Sequence, residues 1–193
     1  MDTPTTQEKF ISADAFWDII QTPEYADKNV ELIEGVIVEM SPTSWKHGNI
    51  ALFIATPLQL FVVARKLGYV SVEAGYLLFK NPDGKDTIRA PDVSFAKQER
   101  APQGIPDEGY VPYPPDLAVE VVSPNDKMRE ISTKVGEYLR AGTPLVWIVD
   151  PYTQTVIVHR LGSIAAYDVN GILDGGDVLP GFTLPVRDIF PET

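Results

Sequence analysis

A carboxylate embedded in an apolar run limits the folds that are open to this chain. Six of the eight residues from Leu117 to Pro124 are apolar or proline, and Glu120 lies among them. This pattern predicts a strand that is buried on both faces. A buried carboxylate is costly unless a cation, a hydrogen-bond network or a proton compensates its charge. The stretch from 115 to 126 is therefore a candidate functional site.

Composition narrows the class of protein. The 193 residues are 44% hydrophobic and 22% charged, which suits a single globular domain over residues 1–193. The absence of cysteine excludes disulfides and thiolate metal sites. The N-terminal residues lack a basic start followed by an apolar run, and we see no apolar stretch approaching about 20 residues. We therefore expect a soluble cytoplasmic protein that makes no contact with a membrane.

The acidic balance bears on the partners of the protein. Its net charge of −11 argues against a broad, non-specific nucleic-acid surface, because neutralising phosphates requires clustered lysine and arginine. A local basic groove stays compatible with this charge. The same balance suits a divalent-cation site built from carboxylates. With two histidines and no cysteine, a zinc site is not expected.

Apolar periodicity and turn residues predict the elements of the N-terminal half. These are a helix over 12–20, a hairpin over 30–40, a helix over 44–67, strands over 69–79 and 87–95 that form a second hairpin, and a loop over 97–115. Ser12 caps the first helix, and Glu34-Gly35 forms the first turn. Pro57 is expected to kink or split the long helix, and Gly68 to end it.

A strand–helix–strand pattern follows. The predicted elements are the strand that carries Glu120, a helix over 127–141, and strands over 145–151 and 155–160. Residues Ser123 to Asp126 offer capping side chains for the helix, and Gly142 ends it. The pattern implies a right-handed crossover and parallel pairing of the Glu120 strand with the Trp147 strand. The domain then divides into a helix and hairpin at 12–40, a core at about 44–160 and an extension at 161–193.

The helix over 127–141 carries two adjacent stripes. The stripe predicted to face the core consists of Met128, Ile131, Val135, Tyr138 and Leu139. The charged stripe along its border consists of Lys127, Glu130, Lys134 and Glu137. From this position Lys134 can lean toward the strand that carries Glu120.

Three motifs connect this order of elements to a known family. They are Arg89-Ala90-Pro91-Asp92-Val93-Ser94, the run from Pro115 to Pro124, and Lys134 through Tyr138 to Gly142 with Trp147 to Pro151. The order of elements resembles the PD-(D/E)XK nuclease fold, and the motifs resemble the Uma-two family of restriction-endonuclease-like proteins. The resemblance implies an α/β fold with a restriction-endonuclease-like core: a central mixed β-sheet flanked by helices, with an added N-terminal helix and hairpin.

The resemblance also implies a chemistry. It implies Mg²⁺-dependent hydrolysis of phosphodiester bonds in DNA, with Mn²⁺ as an alternative metal and a homodimer as the assembly by analogy. Asp92, Glu120 and the Val121 carbonyl are the implied metal ligands. The superfamily usually places a lysine two residues after the acidic residue, where this chain has Val122. The family pattern assigns the catalytic lysine to Lys134 instead.

Supporting roles are implied for further residues. Glu130 and Glu31 match acidic positions of the family, and His47 matches a histidine near a helix start. Lys127 is an alternative to Lys134, and Glu73 is a weaker acidic candidate. Each has a structural alternative, such as a helix cap for His47, a surface strand position for Glu31, or a solvated helix face for Glu130.

Two other functions compete with DNA cleavage. Val122 at the usual lysine position and the acidic charge favour a catalytically inactive binding or assembly module with the same fold. A hydrolase of a small phosphate or nucleotide would use a carboxylate site without a basic groove. Salt dependence separates the DNA and small-substrate hypotheses, because binding to polymeric DNA falls steeply with salt.

Overall fold

A computed structural model of the chain describes residues 10–124 and 126–190. Its helices are α1 (Ala13–Ile20), α2 (Trp45–Arg65) and α3 (Met128–Ala141). Its strands are β1 (Val30–Ile33), β2 (Val36–Glu39), β3 (Gly68–Ser71), β4 (Tyr76–Phe79), β5 (Thr87–Arg89), β6 (Val93–Lys97), β7 (Leu117–Val121), β8 (Leu145–Asp150), β9 (Thr155–Arg160), β10 (Ser163–Tyr167), β11 (Ile172–Asp174) and β12 (Thr183–Pro185). Short 3₁₀ turns lie at Gln98–Arg100 and Val186–Asp188. The described residues leave out part of the N-terminal segment from which the cytoplasmic localisation was predicted. They also leave out the end of the predicted extension at 161–193.

A six-stranded mixed sheet forms the centre of the molecule, in the order β10-β9-β8-β7-β6-β3. Strands β7 and β8 pair in parallel, as the sequence predicts, with Glu120 opposite Ile148. Residues alternate between the two faces of β7. Leu117 and Val119 pack in the cluster that contains α2, whereas Ala118 packs in the cluster that contains α3. Glu120 shares the face of Ala118, so its side chain is directed toward α3, and the predicted sheet flanked by helices is confirmed.

A second, four-stranded sheet in the order β2-β1-β5-β4 lies beside the first. The predicted hairpin of β1 and β2 is present, and its turn uses left-handed backbone at Glu34 and Gly35 (φ 48° and 78°). It is not a separate addition, because Leu32 of β1 pairs with Ile88 of β5. The first hairpin therefore forms one sheet with residues of the predicted core at 44–160.

The predicted second hairpin is bent between the two sheets. The single strand expected over 69–79 is wrong, because β3 and β4 belong to different sheets and are separated at 72–75. Glu73 has a left-handed φ of 55° in that break, and its N–H donates to the Pro91 carbonyl at 3.2 Å. Pro91 also interrupts the returning strand, because proline has no N–H for the ladder. The bend places Asp92 where the two sheets diverge.

Helix α2 runs over 21 residues without a break, so Pro57 does not split it. Ile54, Leu58 and Val62 are fully buried, and their packing offsets the hydrogen bond that proline removes. The helix ends at Lys66 in a left-handed conformation, and the predicted stop at Gly68 is wrong because Gly68 begins β3. By length and composition α2 is long and apolar enough to cross a membrane, contrary to the expectation that no apolar stretch approaches about 20 residues. The core helix of a soluble protein can have the same length and composition.

Helix α3 begins one residue later than predicted and ends at Gly142 as predicted, with a φ of 99°. Lys127 occupies the cap position, and the Asp126 carboxylate instead accepts a hydrogen bond from the Ser123 N–H at 2.8 Å. Asn125, which was also expected to contribute to the cap, lies outside the described residues. Two predicted orientations are wrong: Met128 is 74% exposed, and Glu137 is buried.

Candidate active site

Asp92 and Glu120 come together because their strands pair. Val93 of β6 is the antiparallel partner of Val119 of β7, so Asp92 and Glu120 lie at neighbouring positions of adjacent strands. The Val121 N–H donates a hydrogen bond of 2.6 Å to Asp92 Oδ2. This bond fixes the Asp92 carboxyl against the end of β7. The Val121 carbonyl stays a predicted metal ligand.

Two side chains of α3 hold the Glu120 carboxylate. Lys134 Nζ donates to Glu120 Oε2 at 2.9 Å, and the Tyr138 hydroxyl donates to Glu120 Oε1 at 2.7 Å. Lys134 and Tyr138 are four residues apart, so they lie on the same face of the helix. The helix thus places a lysine beside Glu120, whereas the strand itself has Val122 two residues after Glu120. Sequence reasoning anticipated that Lys134 could lean toward Glu120, but it treated Tyr138 as a core residue only.

A buried ionic cluster lies behind Lys134. Arg89 donates from Nη1 to Glu31 Oε2 at 2.7 Å and from Nε to Glu137 Oε2 at 2.7 Å. The three side chains are 3–8% exposed. Glu31 Oε1 also accepts the Ala90 N–H at 3.1 Å and lies 3.7 Å from Lys134 Nζ. Glu31 therefore joins Arg89 to the lysine that contacts Glu120.

His47 lies beside Asp92. Its Nε2 is 3.0 Å from Asp92 Oδ2, but the contact lacks hydrogen-bond alignment, and neither ring nitrogen has a hydrogen-bond partner among residues 10–124 and 126–190. Burial lowers the pKa of His47, and the charges of Asp126 and Glu73 only partly oppose this shift. The imidazole is therefore predominantly neutral at pH 7, with free capacity to accept a proton or a hydrogen bond. Ser44, not His47, caps α2: the His47 backbone N–H donates a hydrogen bond of 3.2 Å to Ser44 Oγ.

The charges of the site are strongly coupled. Burial and the charge of Glu120 raise the pKa of Asp92 to about 8, although the Val121 N–H and Lys134 act in the opposite direction. Burial alone would lower the pKa of Lys134, but the charges of Glu120 and Glu31 outweigh burial and raise it. Lys134 is thus an ammonium at neutral pH. With its pKa raised to about 8, Asp92 is mostly protonated at neutral pH without a cation, and a bound cation would favour its ionised form.

The donor atoms of the site fit a hard divalent cation. Mg²⁺ is usually bound by one or two carboxylates and retains several water molecules, so Asp92 and Glu120 suffice as protein ligands. The raised pKa of Asp92 shows that ionising this buried carboxyl beside Glu120 is unfavourable unless a cation compensates the charge. In the described part of the chain, no three His, Asp or Glu side chains are grouped closely enough to form a larger metal cage. The arrangement suits Mg²⁺ or Mn²⁺ and offers no nitrogen- or sulfur-rich site.

Other predicted residues lie at the margin of the site. Asp92 and Glu120 lie in the wall of a cavity of about 500 Å³, and Glu130 lines this cavity too. The Glu130 side chain is 60% exposed and pairs with Lys127 at 3.1 Å. Glu73 also lines this cavity, on the bend between β3 and β4. Lys127 is 79% exposed. Glu130 and Lys127 therefore form an ordinary surface pair rather than contacts with Glu120.

Sequence reasoning missed Arg89, Glu137 and the hydroxyl role of Tyr138. One signal was available for Arg89: it is a cation directly before Ala90-Pro91-Asp92, in a segment predicted to be a strand. Another was available for Tyr138, because it lies one helical turn after Lys134. Neither signal identifies the partner, since Glu31 is 58 positions from Arg89 in the chain.

Comparisons with known proteins agree with this fold. The family Uma2, described as "Putative restriction endonuclease", matches residues 16–187. A crystal structure described as "a putative nuclease belonging to DUF820" from Anabaena variabilis ATCC 29413 aligns with a TM-score of 0.76 and 22% sequence identity. The alignment covers 93% of this chain and 97% of that chain. No curated protein matches the chain at a significant level.

Proposed function

Because this chain belongs to the Uma2 family, we propose that it is a metal-dependent endonuclease that hydrolyses phosphodiester bonds of DNA. The observation that carries the proposal is the contact of Lys134 with Glu120 beside Asp92. An acidic pair with an adjacent lysine supplies charges that metal-dependent phosphodiester hydrolysis can use. The carboxylates bind the cation, and the ammonium stabilises the additional negative charge of the transition state.

Each residue of the site has a separate role in the proposed reaction. Mg²⁺ or Mn²⁺, when bound by Asp92 and Glu120, supplies charge neutralisation and activation of water. Lys134 orients the attacking water and faces the charge that develops on the phosphate oxygens. His47 is neutral and can accept the proton that water loses. The water oxygen forms the new bond to phosphorus, the bond to one sugar oxygen breaks, and that oxygen takes up a proton from the solvent.

The ionic cluster behind the site has a positioning role in this proposal. Arg89 fixes Glu31, and Glu31 lies 3.7 Å from the Lys134 ammonium. Tyr138 fixes the other side of the Glu120 carboxylate. Pre-organised charges lower an activation barrier because they need not reorient during the reaction. We assign Glu130 no direct contact with the reacting atoms.

The competing functions differ in their observable behaviour. The argument for an inactive module rested on Val122 and on the acidic net charge, and its first part loses force where Lys134 brings an ammonium to Glu120. A hydrolase of small nucleotides would bind its substrate with little dependence on salt, whereas a DNA enzyme would lose affinity steeply as salt rises. We also propose a cytoplasmic homodimer, by analogy with enzymes that cut both strands of a duplex. Light scattering measures that assembly.

Glu120→Gln tests the proposed function. We expect this change to lower the rate of metal-dependent DNA cleavage by about 10²–10³-fold, because it removes a negative charge from the metal site. The assay uses single-stranded and duplex DNA with Mg²⁺, with Mn²⁺ and with EDTA. Glu99→Gln is the matched control, since Glu99 is exposed on a short 3₁₀ turn. Unchanged cleavage in Glu120→Gln would show that this carboxylate has no part in the reaction.

A further inference from the structure

A second cavity, of about 490 Å³, adjoins the cavity that contains Asp92 and Glu120. The two cavities share Asn29, Glu73 and Ala90 in their walls, so they are neighbouring parts of one cleft. We call this second part the aromatic cavity. The aromatic side chains in its wall are Phe16, Trp17, Tyr25 and Tyr110. Its size lies within the range of about 300–1,000 Å³ that is typical of small-ligand pockets.

Core packing does not account for all of these rings. Phe16 is buried in the cluster formed by α1, β1 and β5, and Tyr110 packs against that cluster. Trp17 and Tyr25 are only partly buried, and neither belongs to a hydrophobic cluster of the described residues. Large aromatic side chains that line a cavity without joining the core are available for a planar ligand.

Polar groups at the rim of the aromatic cavity suit a heterocyclic base. Gln21 and Asn29 lie in its wall, and both are exposed. Each amide offers donors and an acceptor, which is what the edge of a base requires. The loop over 97–115, for which the sequence suggested a function, supplies another wall through Ile105, Pro106 and Tyr110. The wall thus combines stacking surfaces with hydrogen-bonding groups.

The opposite end of the cleft carries exposed cations among carboxylates, since Asp126 and Glu130 also lie in its wall and Lys127 pairs with Glu130 at 3.1 Å. A third cavity, of about 440 Å³, shares Glu120 and Lys134 with the central one and extends to Lys127 and Arg129. Both of these cations are exposed. From one end to the other, the cleft therefore presents aromatic rings, the carboxylate–lysine site and two cations. This order matches a nucleotide strand, in which a base is followed by one phosphate and then by the next.

We propose that the aromatic cavity binds the base of an unpaired nucleotide that flanks the scissile phosphate. The inference rests on the proposed function and names its substrate as single-stranded or locally unpaired DNA. A base that is stacked within a duplex cannot enter a side cavity until it leaves the stack. Stacking on aromatic side chains gives affinity without a broad basic surface, and the net charge of −11 argues against such a surface.

Trp17→Ala is the direct test, with Trp45→Ala as its matched control. Trp45 is 73% exposed and lines none of the three cavities. Binding of a fluorescein-labelled oligonucleotide is measured by anisotropy in EDTA, which prevents metal-dependent cleavage. We expect Trp17→Ala to weaken binding of the single strand by about tenfold, with no change for the fully paired duplex and none for Trp45→Ala. Trp17→Phe, which keeps a stacking ring, should retain most of the affinity and shows that the site can fold without tryptophan.

Four results would overturn the inference. Equal weakening by Trp17→Ala and Trp45→Ala would remove the special role of Trp17, and so would loss of duplex binding equal to loss of single-strand binding. Binding of free dAMP as tight as that of the oligonucleotide would assign the cavity to a free nucleotide. Because binding is measured without metal, the outcome is independent of catalysis. If the enzyme cleaves a duplex and Trp17→Ala leaves DNA binding unchanged, this inference alone is refuted. If Trp17→Ala weakens single-strand binding but the wild type cleaves no DNA, the proposed function alone is refuted.

Discussion

Lys134→Met is expected to lower the rate of DNA cleavage by about 10²–10³-fold or more while the protein stays folded. Methionine keeps the length and the apolar stem of the side chain and removes only the ammonium. That ammonium lies 2.9 Å from Glu120 Oε2 and 3.7 Å from Glu31 Oε1. Without it, the site loses the positive charge that faces the transition state, and the two carboxylates lose their shared partner.

Lys80→Met is the matched control for Lys134→Met. Lys80 is 58% exposed and pairs with Asp14 on the surface, so its removal should leave the rate within about twofold. Single-turnover rates at saturating metal are compared for both variants and for Lys134→Arg, which keeps the charge and should recover part of the activity. A Lys134→Met enzyme with the wild-type rate would exclude Lys134 from the chemistry.

Arg89→Met is expected to lower the free energy of unfolding by about 3–5 kcal/mol, the largest effect on stability that we predict. Burial alone would lower the pKa of Arg89, but the charges of Glu31 and Glu137 outweigh it and raise that pKa. The guanidinium is the centre of a cluster whose members are 3–8% exposed. Methionine would leave two buried carboxylates without their partner, which is costly in a low-dielectric interior.

Urea denaturation of two further variants makes this prediction specific. Arg160→Met breaks an exposed pair with Asp174 and should cost about 0–1 kcal/mol. Adding Glu31→Gln and Glu137→Gln to Arg89→Met removes the unpaired charges and should recover much of the lost stability. Equal losses for Arg89→Met and Arg160→Met, or no recovery in the triple variant, would contradict the role of the cluster.

The location of Glu120 and Lys134 could be predicted because it follows from local periodicity. Alternation along β7 gives Glu120 the same face as Ala118, and the crossover brings α3 onto that face. Lys134 then follows from its position along the helix. The supporting role of Glu130, one turn earlier, stays a prediction: Glu130 lines the cavity of the site, but it lies in the exposed first turn of α3 and pairs with Lys127.

The remaining features depend on contacts between distant parts of the chain. The bend that separates β3 from β4 requires a left-handed residue, and Glu73 gives no sequence signal for it because such conformations favour glycine or asparagine. Glu137 carries the same signal as any surface glutamate, and only the position of Arg89 shows that it is buried. The aromatic cavity likewise joins α1 to residues near 105–111. Local patterns do not report such pairings.

The central claim is that Asp92 and Glu120 form one divalent-cation site, and isothermal titration calorimetry with Mg²⁺ and Mn²⁺ tests it most directly. The titration is made at pH 8.5, because the pKa of Asp92 is raised to about 8 and metal binding requires the ionised form. We predict one metal ion per chain for the wild type and for Glu99→Gln, and no binding by the double variant Asp92→Asn with Glu120→Gln. Metal binding of unchanged affinity in the double variant, or none by the wild type even with a single-stranded oligonucleotide present, would contradict the account.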